Sequence, residues 1–183
     1  MKKTQSSKTM MVIMVGMFAA VLAALSQLSI PMPSGVPVTL QTFAVALTAY
    51  VLGWKLGGLA TVVYILLGAV GVPVFANLHG GVGVLVGATG GFIWGFLFMV
   101  LLCGFGMQKN KALLCVLSAA GLAVCHLLGI LQFMAVMDMG FTESAVLVSV
   151  PYLVKDVISV VVAYLLAVAV RRALNAADIR VYA

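Results

Sequence analysis

Six long apolar runs, separated by short breaks, constrain this sequence more than any other feature. The runs cover residues 10–30, 38–54, 56–72, 82–106, 112–137 and 143–170. An α-helix needs about 20 apolar residues to cross a bilayer. Because a lipid-exposed backbone must satisfy its own hydrogen bonds, each run is predicted to be a helix. A transmembrane β-barrel does not fit, because its strands alternate apolar and polar residues and these runs are apolar throughout.

The composition leaves little room for anything besides these helices. Hydrophobic residues make up 64% of the 183 positions and charged residues only 8%, whereas a soluble globular domain is about half apolar and about a quarter charged. We therefore predict one transmembrane domain over 1–183, an all-α membrane protein folded as a bundle of six transmembrane helices. The first apolar run follows Lys2 and Lys3 as in a signal peptide, but it is longer than a signal sequence's apolar region, so we expect it to be retained.

The basic residues are sorted to one side of these spans. With a cytoplasmic N-terminus, nine of the ten basic residues fall in segments that are predicted to be cytoplasmic: Lys2, Lys3, Lys8, Lys55, Lys109, Lys111, Arg171, Arg172 and Arg180. Short cytoplasmic loops of membrane proteins carry this excess of Lys and Arg. The pattern predicts that both termini are cytoplasmic and that 73–83 and 138–142 are external. It also accounts for the net charge of +6 without a nucleic-acid partner.

Two ionisable residues, Lys155 and Asp156, lie inside the sixth run. A charge at the centre of a membrane helix costs at least about 2.5 kcal/mol, so such residues usually have a function. The alternative is a mutually neutralised pair near the outer interface, because Pro151 could begin the helix and leave both residues only about a turn inside it. We favour the functional interpretation.

Two ridges of small residues allow close helix packing. The first run carries Gly16, Ala19, Ala20, Ala23 and Ala24. The fourth run carries Gly83, Gly87, Gly91 and Gly95. Packing inside the bundle is the commoner use of such ridges, and for the first run a partner-docking face is an equal alternative.

The sequence lacks the motifs of the common catalytic sites. It has no GxxxxGK[ST] phosphate loop, HExxH or GxSxG motif, so energy for uphill transport would have to come from another subunit or from an ion gradient. His79 and His126 lack partners at metal-ligand spacing, and His126 is predicted to be a hydrogen-bonded residue of the bundle. The three cysteines are interpreted as small core residues. We predict a protein that is not an enzyme and has no cofactor or bound metal.

The remaining polar residues gather at the outer half of the predicted bundle. They are Thr39, Gln41, Thr42, Asn77, His79, Thr89, Lys155 and Asp156. Converging polar groups in an apolar, glycine-lined cavity suit a compact ligand with a polar head. Helix capping, as by Thr39, is the alternative explanation.

Several stretches together resemble one family. Residues 33–42 are Pro-Ser-Gly-Val-Pro-Val-Thr-Leu-Gln-Thr, and residues 67–75 are Leu-Gly-Ala-Val-Gly-Val-Pro-Val-Phe. Gly-Gly-Val-Gly follows at 80–83 and Gly-Ala-Thr-Gly-Gly-Phe at 87–92. In combination they are similar to the signature of the BioY proteins, the biotin-specific substrate-capture (S) components of energy-coupling-factor transporters, and the likeness extends over nearly the whole chain.

The resemblance implies a subunit in the inner membrane of a prokaryotic cell that captures biotin from outside. Its expected partners are a transmembrane T-component and two cytoplasmic ATPase subunits, with a homo-oligomer left open. The small-residue face of the first helix would dock on the T-component. The family's ligand site points to Asn77 and Asp156, and the substrate-binding set predicted here is Gln41, Asn77, Thr89, Gly90, Lys155, Asp156 and Ser159.

The last helix departs from the family pattern. The family typically has P-[FY]-[IL]-P-G-D-x-x-K, whereas residues 151–159 are Pro-Tyr-Leu-Val-Lys-Asp-Val-Ile-Ser. Lys155 therefore stands where glycine is usual, and Ser159 where lysine is usual. Because these two positions lie one turn apart on a helix, we predict that Lys155, helped by Ser159, binds the carboxylate of biotin while Asp156 meets its ureido N–H groups.

Three other functions compete with biotin capture. The same scaffold could carry another vitamin or precursor. The chain could instead be a membrane enzyme that uses Lys155 and Asp156, although no activated nucleophile with a base is visible in the sequence. A purely structural subunit would leave the two intramembrane charges unexplained.

Overall fold

The computed structural model describes residues 8–177 and 179, and within them the chain is largely helical. The helices are α1 (Lys8–Ser26), α2 (Gln41–Ala69), α3 (Val82–Val86), α4 (Gly90–Met107), α5 (Lys111–Met137), α6 (Phe141–Val148) and α7 (Val150–Ala176). A short antiparallel ribbon joins β1 (Ser29–Ile30) to β2 (Val38–Thr39), and a 3-10 turn covers Ala76–Leu78. In this part of the chain five helices, α1, α2, α4, α5 and α7, are long and apolar enough to cross a membrane. An all-α membrane fold is therefore confirmed.

Helix α2 reverses direction within its length. Gly53 has a φ of 75° and a ψ of −179°, a conformation that glycine adopts without steric cost. The side chain of Gln41 donates from Nε2 to the Tyr64 hydroxyl at 2.9 Å, although a straight helix would separate these residues by about 34 Å. The predicted runs 38–54 and 56–72 are thus two antiparallel arms joined at Gly53. In the described residues, five helices of spanning length therefore correspond to the six predicted ones, because α2 contains two of the predicted runs.

The prediction of one continuous helix over 82–106 is wrong. The run is broken between α3 and α4, where Gly87 is extended with a φ of −80° and a ψ of −176°. A break releases backbone carbonyls, which need other donors when they are not solvated. Gln132 of α5 supplies them, donating from Nε2 to the carbonyls of Leu85 at 2.9 Å and Gly87 at 2.7 Å.

The predicted runs 143–170 and 10–30 also need correction. The sixth run is divided at Ser149 into α6 and α7, and Pro151 lies in the first turn of α7. Proline suits that position because its missing N–H has no partner in a first helical turn. At the other end of the chain, α1 ends at Ser26 rather than near 30, and the following residues form the ribbon.

Glycines bring α4 close to its neighbours at three levels. A Cβ at Gly91 would lie 2.2 Å from the Leu128 carbonyl oxygen, and one at Gly95 would lie 2.6 Å from Cys125 Cα. At the other end of α4, a Cβ at Gly104 would lie 2.4 Å from the backbone nitrogen of Trp54. The glycine ridge of the fourth run therefore serves packing inside the bundle at its α4 positions.

We predict that Gly95→Ala destabilises the chain, because its new methyl group would overlap the α5 backbone. Overpacking of this kind costs about 1–3 kcal/mol. Gly16→Ala is the matched control, since nothing lies within 4 Å of a Cβ at that position. Thermal unfolding of the purified chain in detergent should show a lower midpoint for Gly95→Ala alone. Equal midpoints for the two variants would contradict the packing described here.

Four of the described basic residues, Lys55, Lys109, Lys111 and Arg171, lie at one end of the bundle. The contact of Gly104 with Trp54 places Lys55 beside the end of α4, and Lys109 and Lys111 lie in the turn that follows. Arg171 of α7 donates from Nε to the Val51 carbonyl, next to the bend at Gly53, at 3.5 Å. Lys2, Lys3 and Arg180, which entered the orientation prediction, lie outside the described residues.

Candidate ligand site

A cavity of about 370 Å³ opens at the end of the bundle opposite Lys55, Lys109, Lys111 and Arg171. Its walls come from 35–42, from the loop at 75–79, from 83–96 across the α3–α4 break, and from 148–156. The volume falls within the range of small-molecule sites, about 300–1,000 Å³. The cavity is lined by five residues of the predicted substrate-binding set: Gln41, Asn77, Thr89, Lys155 and Asp156.

The Lys155–Asp156 pair lies in the second turn of α7 and faces this cavity. Asp156 is only 4% exposed, and its carboxylate forms an ion pair with the Lys155 ammonium. Lys155 Nζ also donates to the Thr39 carbonyl at 2.9 Å. The pair therefore combines two features that the sequence offered as alternatives: it is mutually neutralised near the start of the helix, and it lines a cavity.

His126 of α5 completes the surroundings of Asp156. Its Nε2 lies 3.2 Å from Asp156 Oδ2, and its Nδ1 lies 2.8 Å from Ser149 Oγ. The prediction of a hydrogen-bonded bundle residue is confirmed. Its pairing with Asp156 was missed, although a buried carboxylate needs several partners and His126 is one of only two histidines in the chain.

The loop that carries Asn77 is held by residues 26–29, which run from the last residue of α1 into β1. Gln27 Nε2 donates to the Phe75 carbonyl at 3.1 Å, and the Leu78 N–H donates to Gln27 Oε1 at 2.9 Å. Ser26 donates to the Val74 carbonyl, and Ser29 Oγ donates to Asn77 Oδ1 at 2.6 Å. Sequence reasoning missed these holding residues, because the partners lie about 50 positions apart in the chain.

Two more side chains shape the opposite wall. Thr39 Oγ1 donates to Gln41 Oε1 at 3.1 Å, so that Gln41 is held between Thr39 and the Tyr64 hydroxyl. The hydroxyl of Tyr152 donates to the Val36 carbonyl at 2.5 Å and ties the 35–38 segment to α7. Tyr152 lines the cavity and was not among the predicted residues.

Two predicted residues, Gly90 and Ser159, do not line the cavity. A Cβ at Gly90 would lie 2.0 Å from the Leu85 carbonyl oxygen, so this glycine serves the close packing of α3 on α4. Ser159 is buried on the inward stripe of α7, one turn further from the cavity than Asp156. Their predicted contact with the ligand stays a prediction.

The small-residue face of α1 is narrower than predicted. Gly16, Ala20 and Ala24 are exposed and follow one another at four-residue spacing, so they form a continuous strip on the helix surface. Ala23 is half-buried at the edge of this strip. Ala19 is only 2% exposed and packs in the core with Phe18 and Leu22, so its assignment to a docking face is wrong.

Comparison with known proteins supports the resemblance seen in the sequence. The model of the BioY family matches residues 1–176. The chain is 41% identical over 160 residues to a protein of Thermotoga maritima named "Biotin transporter BioY", covering 86% of this chain and 93% of that one. It is 36% identical over 154 residues to a "Probable biotin transporter BioY" of Pyrococcus horikoshii, covering 84% and 91%.

The fold also has a counterpart among solved structures. The crystal structure titled as the S-component for biotin from an ECF-type ABC transporter superposes with a TM-score of 0.78. The two chains are 24% identical, and the match covers 96% of this chain and 95% of the other. The family match over almost the whole sequence, together with these relatives, establishes that the chain belongs to the BioY family.

Proposed function

We propose that this protein is the membrane substrate-binding subunit of a biotin uptake system. It captures biotin from the outer side and passes it inward with an ATP-driven coupling module. The observation that carries the proposal is the cavity in which the Asn77 loop, Gln41 and the Lys155–Asp156 pair meet. Relatives named as biotin transporters support the choice of ligand.

The chemistry of the cavity suits the two ends of biotin. The Asp156 carboxylate is an acceptor for ureido N–H groups, and Asn77 and Gln41 can both donate and accept. A lysine ammonium has three donors. Within the described residues, Lys155 directs two of them at Thr39 and Asp156. One N–H remains for the carboxylate of biotin, and such a charge would be costly to bury without a partner.

Binding and transport, rather than catalysis, is the activity we assign to this site. The family is one of transporters by the names of its members. The side chains of Gln41, Asn77 and Lys155 already have hydrogen-bond partners within the chain. Lys155 and Asp156 neutralise one another and so lack the activated nucleophile that a covalent enzyme mechanism needs.

In this proposal the chain forms one domain that crosses the membrane six times, with both termini in the cytoplasm. The two arms of α2 cross as separate segments because the chain turns back at Gly53. Lys55, Lys109, Lys111 and Arg171 at one end of the bundle mark the cytoplasmic side. The cavity then opens toward the outside, where biotin is captured.

The orientation can be tested by labelling single cysteines in whole cells of a strain that expresses the chain. A cysteine at position 79, in the cavity loop, should react with a membrane-impermeant reagent added outside. A cysteine at position 109 should react only after the membrane is opened. Cys115 is exposed and is replaced beforehand. Labelling of position 79 only from the cytoplasmic side would reverse the proposed orientation.

Equilibrium binding tests the proposed ligand. The purified chain in detergent should bind labelled biotin at a single saturable site, and unlabelled biotin should compete while unrelated vitamins should not. The Asp156→Asn variant should lose at least about tenfold in affinity, because a hydrogen bond to a charged group contributes about 1.5–3 kcal/mol. Displacement of biotin by another vitamin would instead assign the same scaffold to that ligand.

The energy for uptake comes from partners in this proposal. A transmembrane T-component and two cytoplasmic ATPase subunits supply it. The exposed strip of Gly16, Ala20 and Ala24 on α1 is the proposed contact with the T-component, because small residues let another helix approach closely.

A further inference from the structure

His126 is a buried titratable residue that the proposed binding site does not use directly. It is 5% exposed and does not line the cavity. It nevertheless links two parts of the wall, because one ring nitrogen contacts Asp156 of α7 and the other contacts Ser149 between α6 and α7. The ring also packs edge-on against Phe92 of α4, with centroids 6.0 Å apart.

The direction of the two hydrogen bonds follows from the chemistry of the groups. An ionised carboxylate can only accept, so Nε2 of His126 must carry the proton in its 3.2 Å contact with Asp156. A neutral imidazole has one N–H, which leaves Nδ1 as an acceptor. With the ring neutral, the Ser149 hydroxyl donates to Nδ1 across 2.8 Å. The bond at Nδ1 fixes the tautomer that presents N–H to Asp156.

Ser149 is itself held firmly at the start of α7. Its N–H donates to the Ala145 carbonyl at 3.0 Å, and its own carbonyl accepts from Tyr152 and Leu153 at 3.0 and 3.1 Å. The junction of α6 and α7 thus fixes the position of the Ser149 hydroxyl. The hydroxyl orients the His126 imidazole, and the imidazole holds Oδ2 of Asp156. Oδ1 remains beside the Lys155 ammonium at the cavity wall.

We infer that His126, oriented by Ser149, is the positioning residue that holds the Asp156 carboxylate in place for the ligand. The inference deepens the proposed function and rests on it for the identity of the ligand. His126 acts through Asp156 and touches no ligand atom. Without it the carboxylate would keep Lys155 and the Thr42 side chain as partners, and its Oδ2 would lose the contact that fixes its direction.

Three variants of one position test this role by equilibrium binding of biotin. His126→Leu removes the donor and should raise Kd by at least about tenfold, the effect of losing a hydrogen bond to a charged group. His126→Asn is polar but too short to reach Asp156, and it should behave like His126→Leu. His126→Gln places an amide N–H near the position of Nε2, so its Kd for biotin should stay within about threefold of the parent's.

The matched control is Ser118→Ala. Ser118 is also a buried polar residue of α5, and it accepts a hydrogen bond from Tyr50 at 2.7 Å, away from the cavity. Its loss should lower the unfolding midpoint without changing the biotin Kd. If His126→Leu and Ser118→Ala both left Kd unchanged, the positioning role would be overturned.

A double-mutant cycle separates positioning from general destabilisation. In an Asp156→Asn background, His126→Leu should change Kd by less than about threefold, because the group through which it acts is already altered. If His126→Leu raised Kd as much in the Asp156→Asn background as in the parent, His126 would act on binding by another route.

A measurement without ligand distinguishes failure of this inference from failure of the proposed function. The chain has two histidines, so ¹⁵N spectra of the parent and of His126→Gln assign the signals. The His126 ring should be the neutral Nε2–H tautomer, and Asp156→Asn should perturb its signals. If the chain binds no biotin but shows this tautomer, biotin is wrong as the proposed ligand and the His126–Asp156 hydrogen bond stands. An Nδ1–H tautomer would overturn the bond itself.

Discussion

Replacing Lys155 with methionine is expected to weaken biotin binding by at least about tenfold. Methionine is of similar length and apolar, so the main change is loss of the ammonium that bridges the Thr39 carbonyl and Asp156. The carboxylate of biotin would then lie in an apolar cavity without its cation, and Asp156 would be left with His126 and the Thr42 side chain as partners. Losing a partner of a buried charge costs several kcal/mol, which corresponds to at least a tenfold change in affinity.

The measurement is equilibrium binding of labelled biotin to the purified variant, with the unfolding midpoint recorded in parallel. Ser34→Ala is the matched control, because the Ser34 hydroxyl hydrogen-bonds to Tyr152 at 3.1 Å near the cavity but carries no charge. It should change Kd by less than about threefold. If Lys155→Met binds biotin as tightly as the parent, the lysine serves only to neutralise Asp156.

Moving the positive charge along α7 tests the same idea in the opposite direction. Lys155→Gly with Ser159→Lys restores the arrangement that the family pattern typically has. Ser159 lies one turn of about 5.4 Å from Lys155, so a lysine there can extend back toward the cavity. We expect the double variant to regain much of the affinity that Lys155→Met loses. An affinity no better than that of Lys155→Met would show that the site requires the cation at 155.

Replacing Ala20 with leucine is expected to abolish most uptake while leaving biotin binding intact. Ala20 is the middle residue of the exposed strip on α1, and a leucine there would keep a partner helix away by the thickness of a side chain. The side chain at this position points away from the core, so the cavity at the other end of α1 should be unaffected. Uptake by cells that carry the coupling module and Kd of the purified chain are the two readouts.

Ala123→Leu is the matched control for this prediction. Ala123 is an exposed alanine in the middle of α5, and its replacement adds the same bulk to another membrane-facing surface. Uptake should stay close to that of the parent in this variant. If Ala20→Leu lost binding together with uptake, the strip would serve packing within the chain and the docking proposal would fail.

Much of the fold could be predicted because its signals are local. The apolar runs determine helices, and α5 begins and ends within one residue of the predicted 112–137. The break predicted at Gly53 is the point where α2 turns back. The break at Gly87 was missed, because an apolar run continues through it and hydropathy does not record a change of backbone direction. The break at Ser149 was considered only as an alternative, in which Pro151 begins the last helix. Their stability depends on partners from elsewhere, such as Gln132 of α5.

The site was predictable in kind but not in arrangement. Polar residues in an apolar chain are few, so Gln41, Asn77, Thr89 and the pair at 155–156 stood out and all line one cavity. Ser159 was placed with Lys155 by helical spacing, yet the inward stripe of α7 runs through Tyr152, Asp156 and Ser159. Helical spacing gives which residues share a face, and it does not give which face is turned inward.

The sequence by itself determined that this is a helical membrane protein with its basic residues in a few segments, because hydropathy and charge are properties of single segments. Only the tertiary structure decided that Ala19 faces the core, that Gln27 after α1 holds the Asn77 loop, and that His126 contacts Asp156. In a bilayer both the lipid-facing and the core-facing sides of a helix are apolar. In a soluble protein, the polar residues on the solvent side of a helix reveal which side faces the core. A membrane helix lacks this contrast, so its inward face is known only from contacts between distant segments.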